Sequence, residues 1–289
     1  MDTFFILLIN GLADSALIFL MAAGLSIILG MMGILNFAHG TMFLWGGYTS
    51  VWVFAQTGSF WLGLLAAVAV GGLMGLIFER LFIRPVYGRV TAQILITLGL
   101  MIVFTDLARL LWGATALPAL RPSLLDGMVV ILGIRIVEYR LFLIGVGLAV
   151  AVGIHLLINR TRIGMVMRAG VQSPEMVRAL GIDIAKYFSF VFAGGAALAA
   201  LGGALYVPLV GSVWSGMGMD NQVLAFIVVV IGGMGSFVGT AMGSLFIGLT
   251  GALVAWFFPP AAVVVNVLLM ALVLVFKPTG LFGWEGKSR

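Results

Sequence analysis

Long uncharged apolar runs follow one another along almost the whole chain, and that pattern decides the fold class before any motif is considered. A helix crosses the hydrocarbon core of a membrane with about 20 apolar residues, and most of the 289 residues can be tiled with such runs. In lipid every backbone polar group must be paired internally, so only helices or a closed barrel can span. The runs are rich in Leu, Ala, Gly and Met and do not alternate as barrel strands do. The expected fold is an all-α integral membrane protein, a polytopic helix bundle of about 8–9 spans, some short or broken.

Punctuation within the runs sets the expected boundaries. Residues 4–9 are too short to span and are closed by Asn10-Gly11, and Asp14-Ser15 reads as a helix start, so the first span is expected at 15–35. Further runs lie at 40–56, 60–78, 91–112, 141–158, 187–207, 222–232, 237–257 and 260–276. The run at 222–232 is short and meets Gly232-Gly-Met-Gly-Ser236, which reads as a broken or tilted helix. The segment 113–140, with Pro118, Pro122, Gly127 and Gly133, reads as an external loop with a short amphipathic piece. No soluble domain is visible, so residues 1–289 are expected to form one transmembrane domain. The Met-Asp start has no basic region before the first apolar run, so that run reads as retained rather than cleaved.

Charge gives the orientation. Only 9% of residues are charged, against roughly 25% in soluble domains. Of the 15 Lys and Arg residues, most sit in three stretches: Arg80, Arg84 and Arg89; Arg160, Arg162, Arg168, Arg178 and Lys186; Lys277, Lys287 and Arg289. Basic residues collect on the cytoplasmic side of a membrane protein. All three stretches fall there if the N-terminus is outside, the C-terminus is inside and 222–232 crosses. The net charge of +5 therefore reads as membrane orientation rather than nucleic-acid binding. With no cysteine and two histidines, thiolate or histidine metal sites are excluded, and no metal or cofactor is expected.

One basic stretch contains a small helix with its own start and stop signals. In Ser173-Pro174-Glu175, the hydroxyl suits an N-cap, Pro suits the first helical position, and Glu suits the positive end of the helix dipole. Gly181 supplies the left-handed stop. A helix of about seven residues is too short to stand alone, so it must dock, with Met176, Val177 and Leu180 as its apolar stripe. An amphipathic turn lying on lipid headgroups is the alternative reading.

The glutamate-to-glycine spacing Glu175…Gly181 resembles the "EAA" loop of ATP-binding-cassette (ABC) importer permeases, although Met176 and Val177 replace the two alanines of that consensus. The segments Gly24-Leu-Ser-Ile-Ile-Leu-Gly30 and Gly33-Ile-Leu-Asn-Phe-Ala-His-Gly-Thr-Met42 resemble permeases of branched-chain amino-acid ABC importers, the LivH type. Gly232–Ser236, the terminal Lys277-Pro-Thr-Gly-Leu-Phe282 and the chain length add to that resemblance, which covers essentially the whole chain. It implies a coupling loop at 159–186, in which Arg168, Ser173, Pro174, Glu175, Met176, Val177, Arg178, Ala179, Leu180 and Gly181 meet an ATPase. It further implies two separate ATP-binding subunits, a paralogous second permease and a soluble extracytoplasmic receptor, with aliphatic amino acids as cargo and urea or short amides as relatives' cargo.

Polar residues inside apolar runs each need a reason, because a charge at a helix centre costs roughly 2.5–3.5 kcal/mol on insertion scales. Asn36, His39 and Gly40 fall where glycines can break a helix and are candidates for the translocation path or gate; the alternative is a turn in which Asn36 caps the next helix. Asn221, in Asp220-Asn221-Gln222, is a candidate for the outer mouth, with helix capping as the alternative. Asp14 reads as a cap, Asp106 and Arg109 as a snorkelling pair, and His155 as an interfacial histidine. Gly71 and Gly75, and the series Gly235, Gly239 and Gly243, place small residues at four-residue spacing for close helix packing. The Met residues read as ordinary core filling.

Catalytic signatures fail on inspection. Gly286-Lys-Ser288 mimics the end of a P-loop, but Leu281 stands where its first glycine belongs; Gly233-Met-Gly235 begins a dinucleotide pattern that Val238 breaks. The chain is expected to be a transport subunit without its own nucleotide site. A self-sufficient secondary transporter or channel for a small solute is the competing class, and ion coupling would have to run through Asp14 and Asp106.

Overall fold

The computed structural model describes residues 2–131 and 133–283; Lys287, Arg289 and the Gly286–Ser288 P-loop mimic lie outside the described residues. Eleven α-helices make up nearly all of the described chain. They are α1 (Asp2–Met32), α2 (His39–Thr57), α3 (Phe60–Ile77), α4 (Val90–Trp112), α5 (Glu138–Arg160), α6 (Arg162–Gln172), α7 (Pro174–Ala179), α8 (Ile184–Val210), α9 (Met217–Gly232), α10 (Phe237–Phe257) and α11 (Ala262–Phe276). Six are long and apolar enough to cross a membrane: α1, α3 with its extension, α4, α5, α8 and α10. At 1.5 Å per residue, the 16-residue α9 reaches only about 24 Å, which accords with a short helix stopped by Gly233 at φ +99°.

Several boundaries differ from the sequence expectation. α1 begins at Asp2, not at 15, because neither Asn10 nor Gly11 breaks it. Gly11 instead lets α10 approach: a Cβ there would lie 3.0 Å from Leu249 Cα. Asp14 is thus mid-helix and not a cap. α3 runs on through a π-helical turn (Phe78–Ile83) and a 3-10 turn (Arg84–Val86). The amphipathic piece of the 113–140 segment is an antiparallel hairpin, β2 (Met128–Ile131) with β3 (Ile134–Val137), whose Ile134 and Ile136 point inward while Arg135 points out. The chain is therefore not purely helical: β1 (Leu117–Pro118) also pairs antiparallel with β4 (Ser212–Val213) in the register Leu117 opposite Val213. Asp220, Asn221 and Gln222 lie inside α9, whose N-cap is Gly216.

α1 is the axis of the bundle, packed on α10, α8, α5 and α9, and α8 is shared by α1, α2 and α3. Between them sit fully buried Leu20, Met21, Leu25, Phe43, Tyr48 and Phe192. Glycine sets the spacing, because lipid removes the hydrophobic drive between helices and leaves close packing to replace it. A Cβ on Gly46 would fall 2.1 Å from Ala200 O, and one on Gly203 1.9 Å from Phe43 O, so α2 and α8 touch backbone to backbone. Gly71 and Gly75 bring α3 against Ala200 and Ala196 of α8. Gly239 and Gly243 face Gly232 and Val228 of α9. Gly235 is not on that helical face; it sits in the preceding turn at φ +80° and abuts Gly30 of α1.

Candidate functional site

Three polar regions stand out against the apolar bundle. The first is the break between α1 and α2. α1 ends when Gly33 adopts φ +64°, and Ile34–Ala38 cross over to α2. Asn36 Oδ1 accepts from Ala38 N (3.0 Å), and Asn36 O accepts from Gln222 Nε2 of α9 (3.3 Å). The Asn36 side chain therefore closes a local turn, and α2 has no side-chain cap. His39 Nε2 donates to Met21 O (3.1 Å), which leaves Nδ1 as an unfilled acceptor. Asn36 Nδ2, Thr41 Oγ1 and Gln222 Oε1 are also buried without partners. These polar groups concentrate where α1, α2 and α9 meet. Gly40 completes this knot, with room for a Cβ denied by Gly218 O at 2.2 Å.

The second region is a pair of cavities on opposite faces of α1. One, of ≈ 390 Å³, has Asp14, Arg140, Asn221 and Asn266 on its wall, with Leu17, Met21 and Ile247 among its apolar lining. The other, of ≈ 600 Å³, opens beside Ser26, Gly30, His155, Asn159, Arg168 and Ser236. Asn221 thus lies on a cavity, its Nδ2 donating to Met217 O (2.8 Å). Asn36, His39 and Gly40 do not line either of these two cavities. They are packed between α1, α2 and α9.

The third region is the handle. α6, an amphipathic helix absent from the sequence reading and capped by Thr161, whose Oγ1 accepts from Gly164 N (3.2 Å), leads through Ser173 into α7. Ser173 Oγ accepts from Met176 N (3.3 Å), and Gly181 adopts φ +78° at the other end. The apolar stripe divides: Val177 is 3% exposed and anchors α7 to its own chain, whereas Met176 and Leu180 are 65% and 73% exposed. Glu175, Arg178 and Ala179 are exposed. Arg168 turns back to donate to Ile158 O of α5.

A residue the sequence reading passed over ties the end of α3 to the start of α8. Glu79, 0% exposed at the π-helical end of α3, accepts from Arg84 Nε (3.1 Å) and Ser189 Oγ (2.6 Å), and also from Tyr87 Oη. Arg84 Nη2 reaches Ser189 Oγ (2.7 Å) and Ala185 O (3.3 Å) in the first turns of α8. The Tyr87 phenol is pushed well above its usual range, by burial first and then by the Glu79 carboxylate, so it remains a neutral donor. The signal that could have found Glu79 is an acid at the end of an apolar run with Arg84 five residues on.

Of the remaining ionisable groups, Asp106 and Arg109 lie apart from these regions and His155 stands on the wall of the ≈ 600 Å³ cavity. Asp106 and Arg109 pair on the surface of α4 (2.9 Å), and His155 Nδ1 meets Asn159 Nδ2 at 3.2 Å. Among the described residues no group of three or more His, Cys, Asp or Glu is placed to hold a metal ion.

Residues 7–276 match the model of a family described as the permease component of branched-chain amino acid transport systems. A high-affinity branched-chain amino acid transport system permease protein, BraD of Pseudomonas aeruginosa, is 33% identical, the match covering 96% of this chain and 94% of that protein. The corresponding LivH protein of Escherichia coli is 29% identical over 95% of this chain and 94% of its own. A probable branched-chain amino acid transport permease protein of Methanocaldococcus jannaschii is 24% identical over 95% and 91%. No solved structure matches the chain.

Proposed function

The chain belongs to the family of permease components of branched-chain amino acid transport systems, and from that premise we propose that it is the transmembrane permease of an ABC importer. Its cargo is branched-chain or other small aliphatic amino acids, moved inward by alternating access. Two separate ATP-binding subunits supply the energy, a second and paralogous permease completes the pore, and a soluble extracytoplasmic protein delivers the solute. The N-terminus and the 113–140 segment lie outside, and the coupling loop 159–186 and the C-terminus lie inside.

The observation that carries the reading is the divided stripe of α7. A six-residue helix is far too short to persist unaided. Val177 holds it to the bundle while Met176 and Leu180 present exposed apolar surface beside Glu175 and Arg178, as a docking element for an ATPase requires. Arg168 and Arg178 offer ionic contacts to that partner. Movement of α7 passes directly into α8, whose first turns are bound to α3 through Glu79 and Arg84. The knot at Asn36, His39 and Gly40 is the seam along which α1 and α2 shift against α9.

Replacing Met176 and Leu180 together by Asp tests this. The ATP-binding subunits should no longer co-purify with the chain, while the variant itself is inserted and stable, because neither residue packs on its own bundle. Unchanged co-purification and unchanged leucine uptake by the assembled transporter would refute α7 as the coupling helix.

A further inference from the structure

The cavity of ≈ 390 Å³ beside α1 is not used by the coupling argument, and its wall has a particular chemistry. Asp14 of α1 and Arg140 of α5 face each other across it with Nη1 to Oδ1 at 3.6 Å, too long for a hydrogen bond. Arg140 Nη1 is buried and has no hydrogen-bond partner, and on the other side Asn266 Oδ1 of α11 is equally unfilled. One carboxylate and one guanidinium thus stand slightly apart with spare bonding capacity. The rest of the wall is apolar, formed by Leu17, Met21, Leu224 and Ile247, with open space beside Gly251. The volume lies within the roughly 300–1,000 Å³ of small-molecule sites, which pair an apolar lining with a few convergent polar groups.

We propose that this cavity is a binding site for a zwitterionic α-amino acid with an aliphatic side chain, held between Asp14 and Arg140; the inference rests on the importer reading above. The ammonium group would take the Asp14 carboxylate and Asn266 Oδ1. The α-carboxylate would take the fork of Arg140, a group suited to carboxylates. Inserting the zwitterion exchanges one loose internal ion pair for two charge-assisted contacts, so neither charge is left alone. The branched side chain lies against Leu17, Met21 and Ile247. A cation or an anion alone would satisfy one charge and strand the other, so the site selects for the zwitterion.

A lipid headgroup with an ammonium and a phosphate carries the same pair of charges, and the test separates the two sources. The assembled transporter is placed in nanodiscs of phosphatidylglycerol, with or without phosphatidylethanolamine, and binding of radiolabelled leucine is measured without the soluble receptor. Leucinamide (the cation) and 4-methylpentanoate (the anion) serve as competitors. Leucine should bind, with each competitor weaker by roughly tenfold or more, as loss of a charged hydrogen-bond partner implies. Arg140→Gln should bind leucinamide as well as leucine, and Asp14→Asn should do the same for 4-methylpentanoate. That crossing of preferences is not produced by a merely structural defect.

Should the charge variants fold poorly, Ala252→Leu fills the same cavity without touching either charge and should weaken leucine more than alanine. Leucine uptake and binding unchanged in all three variants would overturn the site and leave the importer reading intact. Phosphatidylethanolamine retained at the cavity and not displaced by leucine would also overturn it, in favour of a lipid. A wild-type complex that moves no aliphatic amino acid would overturn the importer reading, and this inference with it.

Discussion

The α1–α2 junction and the α7 handle are both breaks between helices, each with a polar residue and a glycine, yet they are built on opposite terms. At the handle, Ser173 caps its own helix, Gly181 is free of neighbours, and most side chains face away from the bundle. At the junction, Asn36, His39 and Gly40 are wholly enclosed and several polar atoms lack partners. One break is stabilised by residues adjacent in sequence and offers its surface outward. The other is held by helices distant in sequence and stores its unsatisfied groups inside. A coupling element needs the first construction, and a seam between two packed arrangements needs the second.

The same residue type separates the two regions most sharply. Gly40→Ala should be the most damaging change, since the new methyl would sit 2.2 Å from Gly218 O and 2.8 Å from Gln222 Cβ. Overpacking costs about 1–3 kcal/mol and sometimes more, so the thermal midpoint of the purified transporter should fall markedly. An unchanged midpoint would mean that α2 and α9 are not in backbone contact. Next comes Glu79→Gln, which removes the charge facing Arg84 and weakens the bonds with Ser189 and Tyr87. Because Arg84 is 39% exposed and Gln keeps hydrogen-bonding capacity, the cost is expected to stay near the lower value for a hydrogen bond to a charged group, about 1.5 kcal/mol. Its signature is ATP hydrolysis that persists while uptake per ATP falls; a proportional fall in both would mark Glu79 as structural only.

Gly181→Ala has free space but the wrong backbone, at φ +78°. A left-handed alanine costs about 1–2 kcal/mol, paid locally, so uptake should weaken while the thermal midpoint barely moves. The smallest effect belongs to Ser173→Ala. Loss of an N-cap costs about 1 kcal/mol, visible as faster amide exchange across 174–180 and not in global unfolding. If Gly181→Ala destabilised the whole protein as Gly40→Ala does, the contrast between the two breaks would be lost.

What was legible follows from range. Apart from the start of α1, the apolar runs located the long helices to within a few residues, since each run is a feature of local composition. The extent of α7 was read from Ser173, Pro174 and Gly181, because capping acts over three or four residues. The start of α1 was misplaced because Asn10-Gly11 looks like a break until α10 packs on it. α6 was missed because a short amphipathic helix is decided by what covers it. Glu79 went unnoticed because its partner Ser189 is 110 residues away.

The sequence by itself determined a helical membrane protein, its main segments and its resemblance to a permease family, since each depends on composition or on neighbours along the chain. The tertiary structure alone decided which polar groups meet. It enclosed Asn36 and His39, placed Asp14 opposite Arg140 on a cavity wall, and joined Glu79 to the first turns of α8. The physical reason is that a buried charge or amide takes its character from whatever surrounds it, and those surroundings come from helices that only the fold brings together.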